Sequence, residues 1–104
     1  MRDIPRLKAE FFKNLGNPLR IRILELLTEG EHSVAEMLEK LEVEQSHLSQ
    51  QLGVLRRAGL VVDRRESQRV IYALTDDRVA DLLGVSKQIL LDILTATRDE
   101  LRTR

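Results

Sequence analysis

The aliphatic residues of this 104-residue chain fall into short helical patterns, and this grouping constrains the fold more than any other feature of the sequence. Through the first 60 positions, leucine, isoleucine and phenylalanine recur three or four residues apart, the spacing that places side chains on one face of an α-helix. Gly16, Gly30 and Gly59 close three of these runs, and glycine is common just beyond a helix C-terminus. The pattern predicts several short helices in a mostly helical domain.

Residues that favour helix ends divide this region further. The first helix is expected to end near Gly16, and the second to begin at Pro18 with Asn17 as its N-cap. Ser33 is followed three residues later by Glu36, which is the pattern of a capping box. A short third helix of about two turns is therefore expected to begin after Ser33.

The fourth predicted helix has two chemically different faces. Leu48, Leu52 and Leu55 mark its buried side, and the helix should end at Ala58–Gly59. A short helix, a tight connection and a second helix predict a helix-turn-helix, whose second helix enters the major groove, where Gln and Ser can hydrogen-bond base edges. The alternative is an ordinary solvated helix face. The polar face carries Gln45, Ser46, His47, Ser49, Gln50 and Gln51.

Two segments rich in β-branched residues follow the fourth helix. Residues 60–65 and 69–74 flank Glu66-Ser67-Gln68 and predict a β-hairpin. Thr75 is expected to cap a long last helix. The predicted fold class is mainly α with a small β-hairpin wing, a winged helix-turn-helix of about five helices.

The last predicted helix carries more apolar side chains than a thin domain can cover. At about 25 residues it would be roughly 38 Å long. We expect a partner helix to cover one of its faces, although an ordinary core-packing helix is the alternative. That face carries Val79, Leu83, Leu90, Ile93 and Leu94.

Length and composition exclude several classes of protein. We expect one domain over residues 1–104, because two separate cores would each be too small. The chain has no cysteine, which excludes disulfides and thiolate metal sites. It also lacks an apolar run long enough to span a bilayer and the apolar core of a signal peptide, so we expect a cytoplasmic protein. Without a glycine-rich phosphate loop or a recognisable catalytic motif, neither an enzyme nor a bound cofactor is expected.

The formal net charge of zero hides an uneven distribution of charge. Between residues 25 and 44, seven acids accompany a single lysine, a local balance of minus six. Between residues 45 and 74, five arginines accompany two acids, a balance of plus three. A basic surface favours phosphate binding, so the second segment is the candidate nucleic-acid face.

Two segments resemble one known family. Residues 43–61, which run Val-Glu-Gln-Ser-His-Leu-Ser-Gln-Gln-Leu-Gly-Val-Leu-Arg-Arg-Ala-Gly-Leu-Val, are similar to the recognition-helix signature of the ArsR/SmtB family of winged helix-turn-helix regulators. Residues 17–27 are similar to the second-helix segment of that family, and the hairpin end at 70–74 extends the match over nearly the whole chain. The resemblance implies a homodimeric repressor that binds an inverted-repeat operator in double-stranded DNA and blocks polymerase. It also implies release when a signal changes the angle between the two recognition helices.

The resemblance also implies roles for individual residues. Base or backbone contacts are expected from the fourth helix, with a departure at Gln51, where many relatives have histidine. The first and last helices are expected to form the dimer. The implied DNA-binding set is Gln45, Ser46, His47, Ser49, Gln50, Gln51 and the wing arginines Arg64, Arg65 and Arg69, and the implied dimer set is Phe11, Leu15, Val79, Leu83, Leu90, Ile93 and Leu94.

The sensor positions of the family are changed in this chain. Relatives that sense soft metals carry Cys-Val-Cys where this chain has Ser33-Val34-Ala35, and residues 75–104 contain no histidine for a zinc site of the last helix. We therefore expect no metal site, and the residues identify no inducer. His32 and His47 are expected to be solvated or hydrogen-bonded side chains.

Two other functions remain open at this point. A winged helix can serve as a protein-interaction module, although such modules usually present apolar or charged residues on the second helix. A DNA-binding protein without any small-molecule inducer is equally compatible with the residues. Salt dependence separates DNA binding from an apolar protein contact, because only phosphate binding weakens steeply as salt rises.

Overall fold

The computed structural model describes residues 3–103 and confirms the predicted fold class. Met1, Arg2 and Arg104, which the predicted domain includes, lie outside the described residues. Within residues 3–103, five helices accompany a small antiparallel sheet. In chain order the elements are α1 (Ile4–Leu15), α2 (Pro18–Thr28), β1 (His32–Ser33), α3 (Val34–Leu41), α4 (Gln45–Arg57), β2 (Val61–Glu66), β3 (Arg69–Leu74) and α5 (Arg78–Arg102).

Side-chain caps begin α2 and α3 as the sequence predicts. The Asn17 Oδ1 atom accepts hydrogen bonds from the backbone N–H groups of Leu19 and Arg20, at 2.9 and 3.1 Å. The Ser33 hydroxyl accepts from the Glu36 N–H at 3.1 Å, and the Glu36 carboxylate accepts from the Ser33 N–H at 2.8 Å. Both bonds of the capping box are thus present, and donors that a helix start leaves unpaired are satisfied.

A tight turn over residues 42–44 separates α3 from α4 and completes the helix-turn-helix. Glu42 adopts the left-handed conformation with φ of 54°, which reverses the chain directly after α3. The helix α4 ends at Arg57 with Ala58 as its C-cap, and the next residue, Gly59, has a φ of 79°, which favours glycine because it has no Cβ. The Leu60 N–H donates back to the Leu55 carbonyl at 3.0 Å and closes the helix end.

The sheet has three strands in the order β1-β3-β2, one more than the predicted hairpin. Residues Val61 to Glu66 pair antiparallel with Leu74 to Arg69, and Ser67 turns the chain with φ of 56°. The additional strand β1 pairs His32 with Tyr72 and Ser33 with Ile71. This short strand fixes the root of the wing to the start of α3.

One cluster of buried side chains joins α2, α3 and α4 to the sheet. The predicted spine of α4 is confirmed, because Leu48, Leu52 and Leu55 are 0 to 2% exposed. Leu15 and Val79 also belong to this cluster. The expectation that these two lie at a dimer interface is therefore wrong, because each is already covered within its own protomer.

The last helix begins later than predicted, and Thr75 does not cap it. The N-cap position of α5 is Asp77, and the Thr75 hydroxyl instead donates to the Gly59 carbonyl at 2.6 Å. Only the first two turns of α5 pack on the core, with Leu83 partly buried there. From Gly84 to Thr103 every residue is exposed.

Candidate nucleic-acid interface

The outer face of α4 presents an uncharged polar surface to solvent. The buried leucine spine lies on the opposite side of this helix. Amide and hydroxyl groups on the outer face can hydrogen-bond a ligand, because these side chains are exposed. The structure brings together five of the six predicted residues of this helix as an exposed set, which we call the reading face: Gln45, Ser46, His47, Ser49 and Gln50.

Gln51 does not belong to the reading face, and the expectation that it does is corrected. Its side chain is 8% exposed, and its Oε1 atom accepts a hydrogen bond from Arg20 Nη1 at 2.7 Å. The signal was present in the sequence, since Gln51 lies three residues after Leu48 and four before Leu55. That spacing places it at the edge of the buried stripe.

Arg64 on β2 is held by two carboxylates of the same protomer. Its guanidinium makes a bidentate contact with Glu31, donating to Oε2 at 2.6 Å and to Oε1 at 2.8 Å. It also donates to Glu66 Oε2 at 3.1 Å. The hydrogen bonds from Arg64 lower the pKa of Glu31. The side chains remain about half exposed, so other anions can reach this arginine.

The other two wing arginines differ in their partners. Arg69 Nη2 approaches Glu36 Oε1 at 3.4 Å. The pKa of Glu36 is lowered, chiefly by the backbone and hydroxyl hydrogen bonds of Ser33 and to a smaller extent by the charge of Arg69. Within residues 3–103, the Arg65 side chain makes neither an ion pair nor a hydrogen bond, and it is exposed.

These pairings were missed in the sequence because they join distant positions. Glu31 precedes Arg64 by 33 residues, and Glu36 precedes Arg69 by the same interval. No local pattern marks either pair. They form because β1 adds to the sheet and carries the segment before α3 to the root of the wing.

A cleft of about 420 Å³ lies between the start of α3, the reading face and the wing. Gln45 and Ser49 line it from α4, and Arg69 lines it from β3. Ser33, Gln68 and Tyr72 contribute the remaining polar side chains. Residues of the reading face and of the wing thus line one cleft.

The two histidines occupy different environments. His32 is buried, and its Nδ1 atom lies 2.8 Å from the Gly30 carbonyl and its Nε2 atom 3.3 Å from Lys40 Nζ. His47 is exposed on the reading face. In the described part of the chain, no three His, Asp or Glu side chains are grouped so that they could hold a metal ion. Nor does any helix between residues 3 and 103 have the length and apolar character needed to cross a membrane.

A second exposed region, carried by α1 and α5, is rich in apolar side chains. Four of the seven predicted dimer residues are exposed there, namely Phe11, Leu90, Ile93 and Leu94, at 37 to 56%. Phe11 and Phe12 contact each other edge to face at 5.5 Å between ring centroids. We call this surface the apolar face; its large exposed side chains are Ile4, Leu7, Phe11, Phe12, Val85, Ile89, Leu90, Leu91, Ile93, Leu94 and Leu101.

Comparison with known proteins identifies relatives of the same architecture. Residues 15–64 match the family described as a helix-turn-helix domain. The HTH-type transcriptional regulator Rv0081 of Mycobacterium tuberculosis is 52% identical over 91 residues, which cover 86% of this chain and 80% of that protein. Its crystal structure superposes with a TM-score of 0.84 at 48% identity, covering 93% of this chain and 98% of the other.

Two further solved structures extend the comparison. The transcriptional repressor BigR from Xylella fastidiosa is 38% identical, with a TM-score of 0.76 over 82% of this chain and 87% of the other. A homodimeric winged helix-turn-helix DNA-binding domain from Mycobacterium bovis, described as a possible ArsR-family regulator, is 30% identical. Its TM-score is 0.76 over 88% of this chain and 84% of that domain.

Proposed function

Because this chain belongs to the ArsR/SmtB-type family of winged helix-turn-helix transcriptional regulators, which are DNA-binding proteins and not enzymes, we propose that it is a homodimeric repressor. It binds an inverted-repeat operator and blocks polymerase at an overlapping promoter. The chain acts as a single domain in the cytoplasm. The observation that carries this proposal is the reading face: exposed Gln, Ser and His side chains on the second helix of the motif.

The reading face supplies the sequence-specific contacts. Glutamine can donate to and accept from adenine in the major groove, and serine hydroxyls can pair with several base edges. An uncharged face suits this role because charged contacts to phosphates carry little sequence information. Gln50 and Ser49, in the middle of the exposed stripe, are the residues that we assign to base recognition.

The wing supplies contacts to the DNA backbone. Arg65 is available for a phosphate as it stands, whereas Arg64 and Arg69 exchange their carboxylate partners for phosphates when DNA arrives. In the free protein the pairs with Glu31 and Glu36 neutralise the wing. They thereby weaken binding to non-specific DNA, which depends on net positive charge. Discrimination between DNA sequences then depends more on α4.

The apolar face supplies the dimer contact. Exposed apolar surface of this extent usually marks an interaction site, and the similar domain from M. bovis is a homodimer. A two-fold axis through α1 and α5 places two reading faces in successive major grooves. The operator should then be an inverted repeat with half-sites about one helical turn, roughly 34 Å, apart.

The signal that releases this repressor is not read by cysteine thiolates, because the chain contains no cysteine. We further propose that it lacks a histidine metal site. The support is that His32 is buried in contact with Gly30 and Lys40, while His47 lies on the reading face.

Selection of bound sequences from random duplex DNA tests the proposal. We expect the parent chain to enrich an inverted repeat at two salt concentrations, with and without divalent metals. Gln50→Ala should lose base preference at one position of each half-site, and the matched variant Gln88→Ala, an exposed glutamine on α5, should select the parental sequence. Failure of the parent to enrich any sequence would contradict DNA recognition and favour a protein-interaction module. An enriched repeat that changes with metal would contradict the metal-independent mechanism.

A further inference from the structure

Arg20 links three helices through one guanidinium group. Its Nε atom donates to the Asn14 carbonyl at 2.7 Å, and its Nη2 atom donates to the Lys13 carbonyl at 3.3 Å, both at the end of α1. Its Nη1 atom donates to Gln51 Oε1 at 2.7 Å in the middle of α4. The first turn of α2 thus makes directed contacts with both neighbouring helices.

The contact with α1 is favoured by electrostatics. The last carbonyls of a helix lack intrahelical partners and carry the negative end of its dipole. The Arg20 cation satisfies one of them, at Asn14, and reinforces a second, at Lys13, which also accepts from the Gly16 N–H at 3.0 Å. The backbone of Arg20 is itself fixed, since its N–H donates to the Asn17 side chain. The arginine is therefore anchored before it reaches α4.

Gln51 is a polar residue where the surroundings call for an apolar one. It is buried beside the leucine spine of α4, and its carbonyl oxygen accepts from the guanidinium of Arg20, which is anchored to α1. Leucine packing has little directional preference, whereas a hydrogen bond to a charged donor restricts both distance and angle. The spine holds α4 on the core, and the Arg20–Gln51 bond adds a directional restraint on the helix there.

The orientation of α4 matters because small rotations move its ends appreciably. With 13 residues, α4 is about 20 Å long, so a tilt of about 5° around its middle moves each end by about 1 Å. A displacement of this size is sufficient to break hydrogen bonds to base edges. In a dimer it also changes the separation of the two reading faces.

We propose that Gln51 is a positioning residue, which with Arg20 sets the angle between the dimer-forming helix α1 and the recognition helix α4. The link thereby determines which half-site spacing the dimer accepts. This inference rests on the proposed function, since it requires a dimer on an inverted repeat. Gln51 acts without touching DNA, although it belongs to the recognition helix.

The test compares operators of different spacing. The parent chain, Gln51→Leu and Gln51→Glu are titrated with the selected inverted repeat and with versions that have one base pair added or removed between the half-sites. The parent should prefer the native spacing. The spacing ratio is the affinity for the native spacing divided by the affinity for an altered spacing. In Gln51→Leu this ratio should fall by about tenfold, a typical size for coupling between sites, while base preference within a half-site stays parental. Gln51→Glu can still accept from Arg20 and should keep the spacing preference.

Other outcomes overturn the inference. If Gln51→Leu keeps the parental spacing ratio, or if it changes base preference at one position as a DNA-contacting residue would, Gln51 is not a positioning residue. Should Gln51→Leu fail to give a folded dimer, Arg20→Lys serves instead. Lysine keeps the positive charge but cannot present the same planar set of donors. An unchanged spacing ratio in Arg20→Lys likewise overturns the inference. A parent that selects no inverted repeat contradicts the proposed function itself, so the two failures are distinguishable.

Discussion

Leu90 offers a direct test of the proposed dimer, because its side chain is 54% exposed in the protomer. Complete burial of a leucine side chain is worth about 1.5–3 kcal/mol, and about half of that remains to be gained at an interface. Truncation by Leu90→Ala should therefore cost about 1 kcal/mol per copy, or about 2 kcal/mol per symmetric dimer. This corresponds to an approximately 30-fold increase in the dimer dissociation constant.

Sedimentation equilibrium over a range of protein concentrations measures this constant. A matched control is Val62→Ala on β2, where an apolar side chain is 52% exposed outside the apolar face. This control should leave the dimer dissociation constant within about twofold of the parent. Thermal unfolding of Leu90→Ala at low concentration should stay close to that of the parent, because this side chain contributes little to its own protomer's core. An unchanged dissociation constant in Leu90→Ala would refute the assignment of this part of α5 to the interface.

Three further predictions concern the wing, the start of α5 and the start of α3. Arg65→Ala should weaken binding to all sequences alike and flatten the salt dependence by about one unit per lost phosphate contact; an unchanged slope in fluorescence titrations would remove Arg65 from the interface. The side-chain and backbone hydrogen bonds of Arg78 lower the pKa of Asp76 from 3.8 to about 2. Because this pKa is depressed on folding, the contribution of Asp76 to stability is present above about pH 4 and is lost as the pH falls towards 2. Asp76→Asn should therefore reduce the pH dependence of urea unfolding in that range. An unchanged pH dependence would contradict this prediction. Ser33→Ala should lower the free energy of unfolding by about 1 kcal/mol through loss of the α3 cap, whereas Ser86→Ala, whose hydroxyl donates to a carbonyl on exposed α5, should have a much smaller effect; equal effects would argue against the cap.

Local signals in the sequence were sufficient for much of the fold. Asn17 and Ser33 place the starts of α2 and α3 because their side chains accept from backbone donors two or three residues away. The spine of α4 follows from helical spacing alone. These features depend on neighbours within one or two turns, so the sequence carries them directly.

Features that depend on distant partners could not be predicted in this way. Strand β1 has two residues, too few for an alternating pattern, and it exists because β3 offers it a partner. Thr75 has the chemistry of a helix cap, but the Gly59 carbonyl lies within reach and takes its hydroxyl instead. Leu15 and Val79 fit an exposed apolar stripe as well as a core, and only the packing of α1 and α5 onto their own protomer decides between these positions.

In the candidate site, too, some features follow from the local sequence and others depend on distant partners. The exposed residues of the reading face follow from their opposition to the leucine spine. The neutralised state of the wing does not, since Glu31 and Glu36 reach Arg64 and Arg69 only in the folded sheet. Gln51 combines a predictable and an unpredictable feature. Its helical spacing from the leucine spine indicates its burial, whereas its partner Arg20 is 31 residues away in the sequence.

The central claim is that a two-fold dimer places two copies of α4 in successive major grooves, and a hydroxyl-radical footprint on the selected duplex tests it most directly. We expect two protected tracts of equal strength, related by two-fold symmetry, with centres about one helical turn or roughly 34 Å apart. Missing-base interference should coincide with the centre of each tract. A single protected tract, or two tracts without this symmetry, would contradict the account.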